Sequence, residues 1–336
     1  MNNSNCNLAS MLRVLAMWLA LPFSLGLLFG LTATAQTFPT KPVRLITPFP
    51  AGAGPETVAR LVGDKLTKYW GQTFIVENRP GANGTIAMEA AKNSAADGYT
   101  LVQMDDAHMS VLGHLYSKLS YSTVKDFEPV ASLFRTYFFV VVPADSPWKT
   151  VGDIIATAKA KGTGLSYGSW GIGSPGHIGM AVFESLTGTQ MNHVPFKDLA
   201  QLYQSVGNND VGWAYGTAAS AGAMYRAKKV KFVAIAAPQR LPGFPDVPTV
   251  AESGGPKDFE VTGWVGFLAP RGVPRAIVNR INQDVARALA EPDVRERFAT
   301  FTFVPTILSP DEMAKQMAID DRKYAEVVKR ARISLD

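Results

Sequence analysis

The chain reads as an α/β protein of two lobes, carried behind an export leader. Three observations predict this. Short β-rich runs alternate with helix-period segments along most of the 336 residues, the pattern of strands covered by helices on both faces. Two apolar runs, "FFVVVPADSP" and "GWVGFLAP", each end in Pro and read as long strands that pass from one lobe to the other. The first charged residue, Arg13, precedes a long apolar stretch that closes on small residues, the layout of a secretory signal.

The leader comes first. Arg13 is followed by "VLAMWLALPFSLGLLFGL" and "TATAQ", with Ala33 and Ala35 at the A-x-A positions. Cleavage after Ala35 would leave Gln36 as the mature N-terminus. The rival is an uncleaved membrane anchor, because the apolar run is about long enough to span. Pro22, the later glycines and the A-T-A favour cleavage. The sole cysteine, Cys6, lies inside the leader. The mature chain therefore offers no disulfide, no Cys-metal site and no Cys nucleophile, and Cys6 sits too early for a lipid anchor.

The strands and helices follow in order. "VRLITPF" leads to "ETVARLVGDKLTKYWG", "TFIVENRP" to "TIAMEAAKNSA", and "YTLVQM" closes the first group. "FFVVVPADSPW" crosses to "TVGDIIATAKAK". "LSYGSWG" leads to "HIGMAVFESLTG", "MNHVPF" to "DLAQLYQSVG", and "DVGWAY" and "VKFVAIAA" follow before the return strand "VTGWVGFLAP". Two helices end the chain; Ser309, Pro310 and Glu312 form a capping box at the second. Gly71 and Gly188 stop helices. The expected division is a leader at 1–35, a first domain of 36–139 with 263–336, and a second domain of 140–262 inserted between them.

Composition bounds the function. A hydrophobic fraction of 47% with 18% charged residues belongs to a globular chain. Its 33 Lys+Arg against 28 Asp+Glu leave only +5. The densest basic run, "RAKKVK" at 226–231, reads as a solvated helix end. Nucleic acid is therefore not expected as a partner.

In open α/β sheets ligands bind outside the carboxyl ends of strands, which directs attention to two glycine-rich loops. The first is "PFPAGAGPETVAR", residues 48–60. Small residues there let backbone N–H groups approach an anion, and the following helix adds its positive end. A tight turn with no ligand is the competing reading. A nucleotide does not fit: no G-K-[ST] is present, and Thr57 stands where a third glycine belongs. The second loop is "YGSWGIGSPGH", where Gly171, Gly173 and Gly176 spell G-x-G-x-x-G with Asp198 downstream. A dinucleotide is disfavoured in an exported protein. Ser169 and Ser174 suit a small anion instead. Trp170 faces either a ligand or its own lobe, and His177 either donates to a ligand or makes a local bond.

Catalysis finds no constellation. G-x-S-x-G is absent, and His108, His114, His177 and His193 form no zinc-binding spacing. No catalytic residue, metal or cofactor is expected. Asp105 and Asp106 follow the third strand and either face the cleft or form a solvated turn.

These motifs together resemble the Bug family, the solute-binding receptors of tripartite tricarboxylate transporters. The resemblance runs from "FPTKPVRLITPFPAGAGPETVARLVGDKLTKYWGQTFIVENRPGANG" and "DGYTL" through "KDFEPVASL", "NHVPFK", "LPGFPDVPTVAESG" and "GWVGFLAPRGVP". It implies a type II periplasmic binding protein: two α/β domains, two crossover strands, and a cleft that closes on a small carboxylate. It implies a periplasmic monomer that serves the membrane subunits of such a transporter. An orphan receptor for signalling, and a hydrolase or lyase on the same fold, are the alternatives.

By the family pattern Phe49, Ala51, Gly52, Ala53, Gly54 and Glu56 line one wall. Ser169, Trp170, Gly173, Ser174 and His177 line the facing wall, with Lys197, Ala214 and Tyr215 nearby and Asp105 and His108 after the third strand. Arg135 and Arg226 are further candidates, by charge alone, to pair a second carboxylate. Three departures bear on the ligand. Pro55-Glu56 replaces an Asp-containing helix start, and "MDDAH" replaces small hydroxyl residues. Ala214 stands where many members carry an Asp suited to an amino group, which argues against an amino acid. Trp170, Trp213 and Tyr215 add aromatic surface. The expected ligand is thus an aromatic carboxylate of the benzoate or terephthalate kind, with an aliphatic di- or tricarboxylate as the alternative.

Overall fold

The run "VRLIT" forms the first strand, β1 (Val43–Thr47), and four of its five side chains are buried. Burial on both faces is what a strand covered by helices on each side requires. β1 feeds α1 (Gly54–Trp70), whose buried Val58, Val62, Leu66 and Trp70 recur every fourth residue and lay one stripe on the sheet. The computed structural model describes residues 38–331 and 333–335; the leader and its cleavage point lie outside them.

The chain continues through β2 (Phe74–Asn78), α2 (Thr85–Lys92), β3 (Thr100–Asp105), β4 (Phe127–Tyr137) and β5 (Phe139–Pro143). Then come α3 (Val151–Lys161), β6 (Ser166–Ser169), α4 (Pro175–Thr187), β7 (Asn192–Pro195) and α5 (Leu199–Gly207). β8 (Trp213–Gly216), α6 (Ala218–Arg226), β9 (Val230–Ile235) and β10 (Thr262–Pro270) follow. α7 (Arg275–Leu289), α8 (Pro292–Phe301), β11 (Val304–Pro305) and α9 (Pro310–Ala331) complete it.

Two sheets result. The first has order β11-β4-β10-β3-β1-β2 and the second β7-β6-β8-β5-β9. The chain leaves the first sheet between Tyr137 and Phe139 and returns at Thr262. The strands β1, β2 and β3 are parallel, as are β6, β7 and β8. The β-α alternation of the sequence argues for parallel sheets, and the crossings depart from that. β10 runs antiparallel to β3 and β4, and β5 antiparallel to β8 and β9. A strand that returns from the other sheet enters from the opposite end, so it cannot share the direction of its neighbours. β4 is an eleven-residue strand that the sequence pattern did not announce.

Helix ends follow the local chemistry. Ser309 and Glu312 exchange the predicted bonds: Glu312 N–H to Ser309 Oγ at 3.3 Å, Ser309 N–H to Glu312 Oε2 at 2.8 Å. The helix α4 is capped by Ser174, whose Oγ accepts from His177 N–H at 3.3 Å. Among the described residues no helix is long and apolar enough to cross a membrane.

The lobes built on the two sheets touch through their helices. Ile178 of α4 packs with Val111, Leu112, Leu115, Tyr324 and Val328, which all belong to the first-sheet side. The helix start at Gly54 approaches α6: a Cβ on Gly54 would lie 3.3 Å from Ala219 Cβ.

Candidate functional site

The opening loop is held by a buried polar chain. Thr47 Oγ1 donates to Gln103 Oε1 at 2.7 Å, and Gln103 Nε2 donates to the Pro55 carbonyl at 2.9 Å. Both side chains are fully buried. Asn78 Nδ2 donates to the Phe49 carbonyl at 2.9 Å. Three separate elements thereby fix where α1 begins. Ala53, its N-cap, has no side-chain oxygen to cap the helix, so its first N–H groups receive no side-chain cap from that position.

Glu56 changes that loop. It is 2% exposed, its Oε2 accepts the Gly52 N–H at 3.0 Å, and its Oε1 accepts from Arg60 Nε. The Gly52 donor, expected to meet a ligand, is occupied by the chain's own carboxylate. Phe49 meets His108 edge to face, with ring centroids 6.0 Å apart. Ala51 and Gly52 are exposed, and Ala53 and Gly54 half-buried.

His108 does not stand free to bind. Its Nδ1 pairs with Asp105 Oδ1 at 2.5 Å, and its Nε2 lies so close to Gly84 that a Cβ there would be 2.1 Å away. Burial opposes both charges, but the pair's attraction wins. Asp105 is held below the usual carboxylate range and His108 above the usual imidazole range. Asp106 points elsewhere: it is 1% exposed and receives the Tyr324 hydroxyl at 2.8 Å.

The second loop is also internally bonded. Ser169 Oγ donates to the Gly171 carbonyl at 3.0 Å and takes a bond from His193 Nε2 at 2.7 Å. Ser174 Oγ donates to the same carbonyl at 2.7 Å. His177 Nδ1 accepts the Gly173 N–H at 3.1 Å. His177 and His193 stack with centroids 4.1 Å apart, a pair the sixteen-residue spacing did not reveal. Burial pushes each imidazole down to about 4, and His193 adds to the effect on His177.

Two of the three glycines of this loop have steric causes rather than a dinucleotide one, and the third, Gly171, has φ +126 with open space beside it. A Cβ on Gly176 would lie 2.6 Å from the Trp170 ring, and one on Gly173 2.3 Å from Leu115 Cδ1. Gly173 also has φ +80, which glycine alone adopts easily. Trp170 is half-buried and stacks on Phe138, centroids 5.3 Å apart.

The ends of β1, β6 and β8 therefore each open into a helix N-terminus at the junction of the lobes: α1, α4 and α6. Residues 58–333 match the family described as the tripartite tricarboxylate transporter family receptor. The chain belongs to this receptor family. It is 32% identical over 299 residues to a Cupriavidus necator protein described as "UPF0065 protein in gbd 5'region", covering 89% of this chain and 90% of that one. An R. palustris protein solved with adipate superposes with a TM-score of 0.82 at 28% identity, covering 88% of this chain and 99% of the other. MatC of Rhodopseudomonas palustris, solved with malate, gives 0.78 at 31% identity over 87% of this chain and 100% of its own. The fold is that of periplasmic solute-binding proteins, and the family consists of solute-binding receptors, not enzymes.

Three expected positions of the receptor turn inward. Trp213 and Tyr215 are 0% exposed and pack with Phe183, Tyr167 and Val233 in the core of the second lobe. Ala214, also 0% exposed, points to the opposite face of β8, among Leu202, Tyr203 and Ala221. Strand alternation explains this: 213 and 215 share one covered face and 214 the other. The aromatic wall loses two of its three rings, and Ala214 says nothing about an amino group in the cleft. Lys197 and Arg226 are exposed and Arg135 half-buried.

Two cavities lie away from the opening loop. One, of about 540 Å³ between Asp145, Trp148, Lys161 and Asp210, sits at the far ends of β6 and β8. The other, of about 480 Å³, lies between α4 and α9 and includes His177 and Lys323. The second touches the first turn of α4 through His177, and neither touches the α1 or α6 start. Among the described residues no cluster of three His, Cys, Asp or Glu could hold a metal.

Proposed function

We propose that the receptor works in the periplasm after removal of residues 1–35. It captures a small carboxylate between a lobe of 36–139 with 263–336 and a lobe of 140–262, and delivers it to the membrane subunits of a tripartite tricarboxylate-type transporter. The supporting observation is the meeting of two helix N-termini from the two lobes, the α1 start at Gly54 next to the α6 start at Ala219, with the α4 start following the second glycine-rich loop. Helix N-termini offer unbonded N–H groups and favour negative charge. Each charge-assisted hydrogen bond contributes about 1.5–3 kcal/mol net, so a few of them reach roughly micromolar affinity. Adipate and malate in two relatives are acids of the size intended. Closure on the ligand would then be a population shift that the membrane partners read.

Within this class an aromatic acid of the benzoate or terephthalate kind is a second reading. It is favoured by Phe49 beside the opening loop and by Trp170 on the second.

Calorimetric titration with malate, adipate, citrate, benzoate, terephthalate and an aliphatic amino acid tests both. Binding of an amino acid alone rejects the carboxylate reading. Binding of adipate or malate without either aromatic acid rejects the second. Loss of uptake of the bound acid on deletion of the gene separates transport from signalling.

A further inference from the structure

The end of β3 and the residue after it place two acids on opposite sides. Asp105 turns toward the opening loop and His108; Asp106 turns toward α9 and the two crossings. Asp106 Oδ2 receives Tyr324 O–H, while Oδ1 is buried with no partner among the described residues. A Cβ on Gly263 of the returning strand would lie 3.6 Å from that Oδ1 and 3.6 Å from the Phe138 ring. This is ordinary contact distance, so glycine leaves a methyl-sized space between the acid and the ring. Phe138 is the residue at which the chain crosses, and Trp170 of the second lobe stacks on it.

The charges around Asp106 are unfavourable to a carboxylate. From its own segment come Asp105 and His108, already paired with each other. From α9 come Tyr324 and Asp320, the latter receiving the Trp264 indole at 2.8 Å. Among the described residues no Lys or Arg forms an ion pair with Asp106. A buried carboxylate with one oxygen unbonded and two other acids nearby is costly, and such a group holds its proton instead.

We propose that Asp106 is a proton-held latch at the lobe junction: neutral, it allows α4 to seat Ile178 against Tyr324 and its neighbours; ionised, it favours the separated arrangement in which water reaches its free oxygen. Closure, and hence ligand capture, then carries a proton. Burial first, then the Asp105 charge, pushes the Asp106 carboxyl up to about 8, which supports the neutral form. An acid with a raised value in the closed state and an ordinary one when solvated holds its proton only in the closed state between those values. Closure therefore weakens as pH rises from about 4 to about 8 and levels off above.

The ligand arm of the test rests on the carboxylate-receptor reading; the melting arm does not. Affinity for adipate and for terephthalate is measured from pH 5 to 9 on the wild type and on Asp106→Asn, an isosteric neutral variant. The wild type should lose up to ~10-fold per pH unit to about 8, then plateau, while the variant stays flat. Melting temperature is followed over the same range without ligand. The wild type should fall relative to Asp106→Asn between pH 5 and 8. Parallel wild-type and variant profiles in the melting arm overturn the latch, as does a pH slope in affinity that Asp106→Asn retains. If neither acid binds, the pH series is run with whichever of malate, citrate or benzoate does bind; parallel melting profiles overturn the latch in either case. Tyr324→Phe removes the donor that lowers the Asp106 value, so its melting difference from wild type should extend to higher pH.

Discussion

His177 Nδ1 accepts the Gly173 N–H at 3.1 Å while its ring lies 4.1 Å from that of His193. With Nδ1 accepting, the proton of the neutral ring is on Nε2. The loop N–H is thus occupied inside the protein, and the loop shape depends on an uncharged imidazole.

Acid should release it. Both imidazoles titrate near 4 because of burial, below the ordinary value near 6.5. The unfolded chain takes up these protons first, so stability present above about pH 6.5 is lost as pH falls toward 4. Denaturation midpoints measured from pH 7 to 4 should fall. His193→Gln, which keeps a donor for Ser169 and cannot titrate, should show a shallower decline. An equal decline would mean that the stacked pair is not the source.

Gly173→Ala should strain both the loop and the lobe contact. The residue has φ +80, and its Cβ would meet Leu115 Cδ1 at 2.3 Å. Positive φ and overpacking together cost about 1–3 kcal/mol. Because Leu115 belongs to the other lobe, ligand affinity should fall beyond what the melting temperature alone reports. Gly171→Ala is the control. A Cβ there would meet nothing within 4 Å, so its strain stays within the loop.

Glu56→Gln tests the acid that replaces the family's usual helix start. The substitution removes the charged partner of Arg60 and weakens the Gly52 bond, at a cost of about 1–3 kcal/mol measured by chemical denaturation. It also removes a negative charge from the opening loop. Affinity for a dicarboxylate should rise a few-fold relative to a monocarboxylate, because the second charge feels the repulsion too. An unchanged ratio would place Glu56 outside the field of the bound acid.

Much of this architecture is legible in the residue pattern. The capping box at Ser309, the stops at Gly71 and Gly188, and both crossings are local or strongly apolar signals, and local signals survive folding. The site is harder to read. Trp213 and Tyr215 sit on a strand after which a ligand is expected, yet alternation places their rings on a covered face. Only the position of α3 and α4 decides that. His177 and His193 have no sequence relationship until β7 pairs with β6. Asp106 and Tyr324 are 218 residues apart. The β4 strand was hidden because Glu128, Pro129 and Arg135 interrupt its apolar run, and they are only half-buried.

Gln103→Leu should separate loop positioning from global folding. Gln103 is fully buried and links Thr47 Oγ1 to the Pro55 carbonyl. Leucine fills similar space but leaves a buried hydroxyl and carbonyl without these bonds, costing about 1–3 kcal/mol. The lost link is the one that fixes the start of α1 against β3. If the α1 N–H groups hold the ligand carboxylate, they must already point at it before binding, and freeing Pro55 imposes an ordering cost at capture. Affinity for the bound acid should therefore drop at least several-fold at temperatures where the variant is fully folded by circular dichroism. Thr47→Val, which removes only one end of the chain, should lose less. Full affinity in a destabilised Gln103→Leu variant would show that the opening loop does not position the ligand.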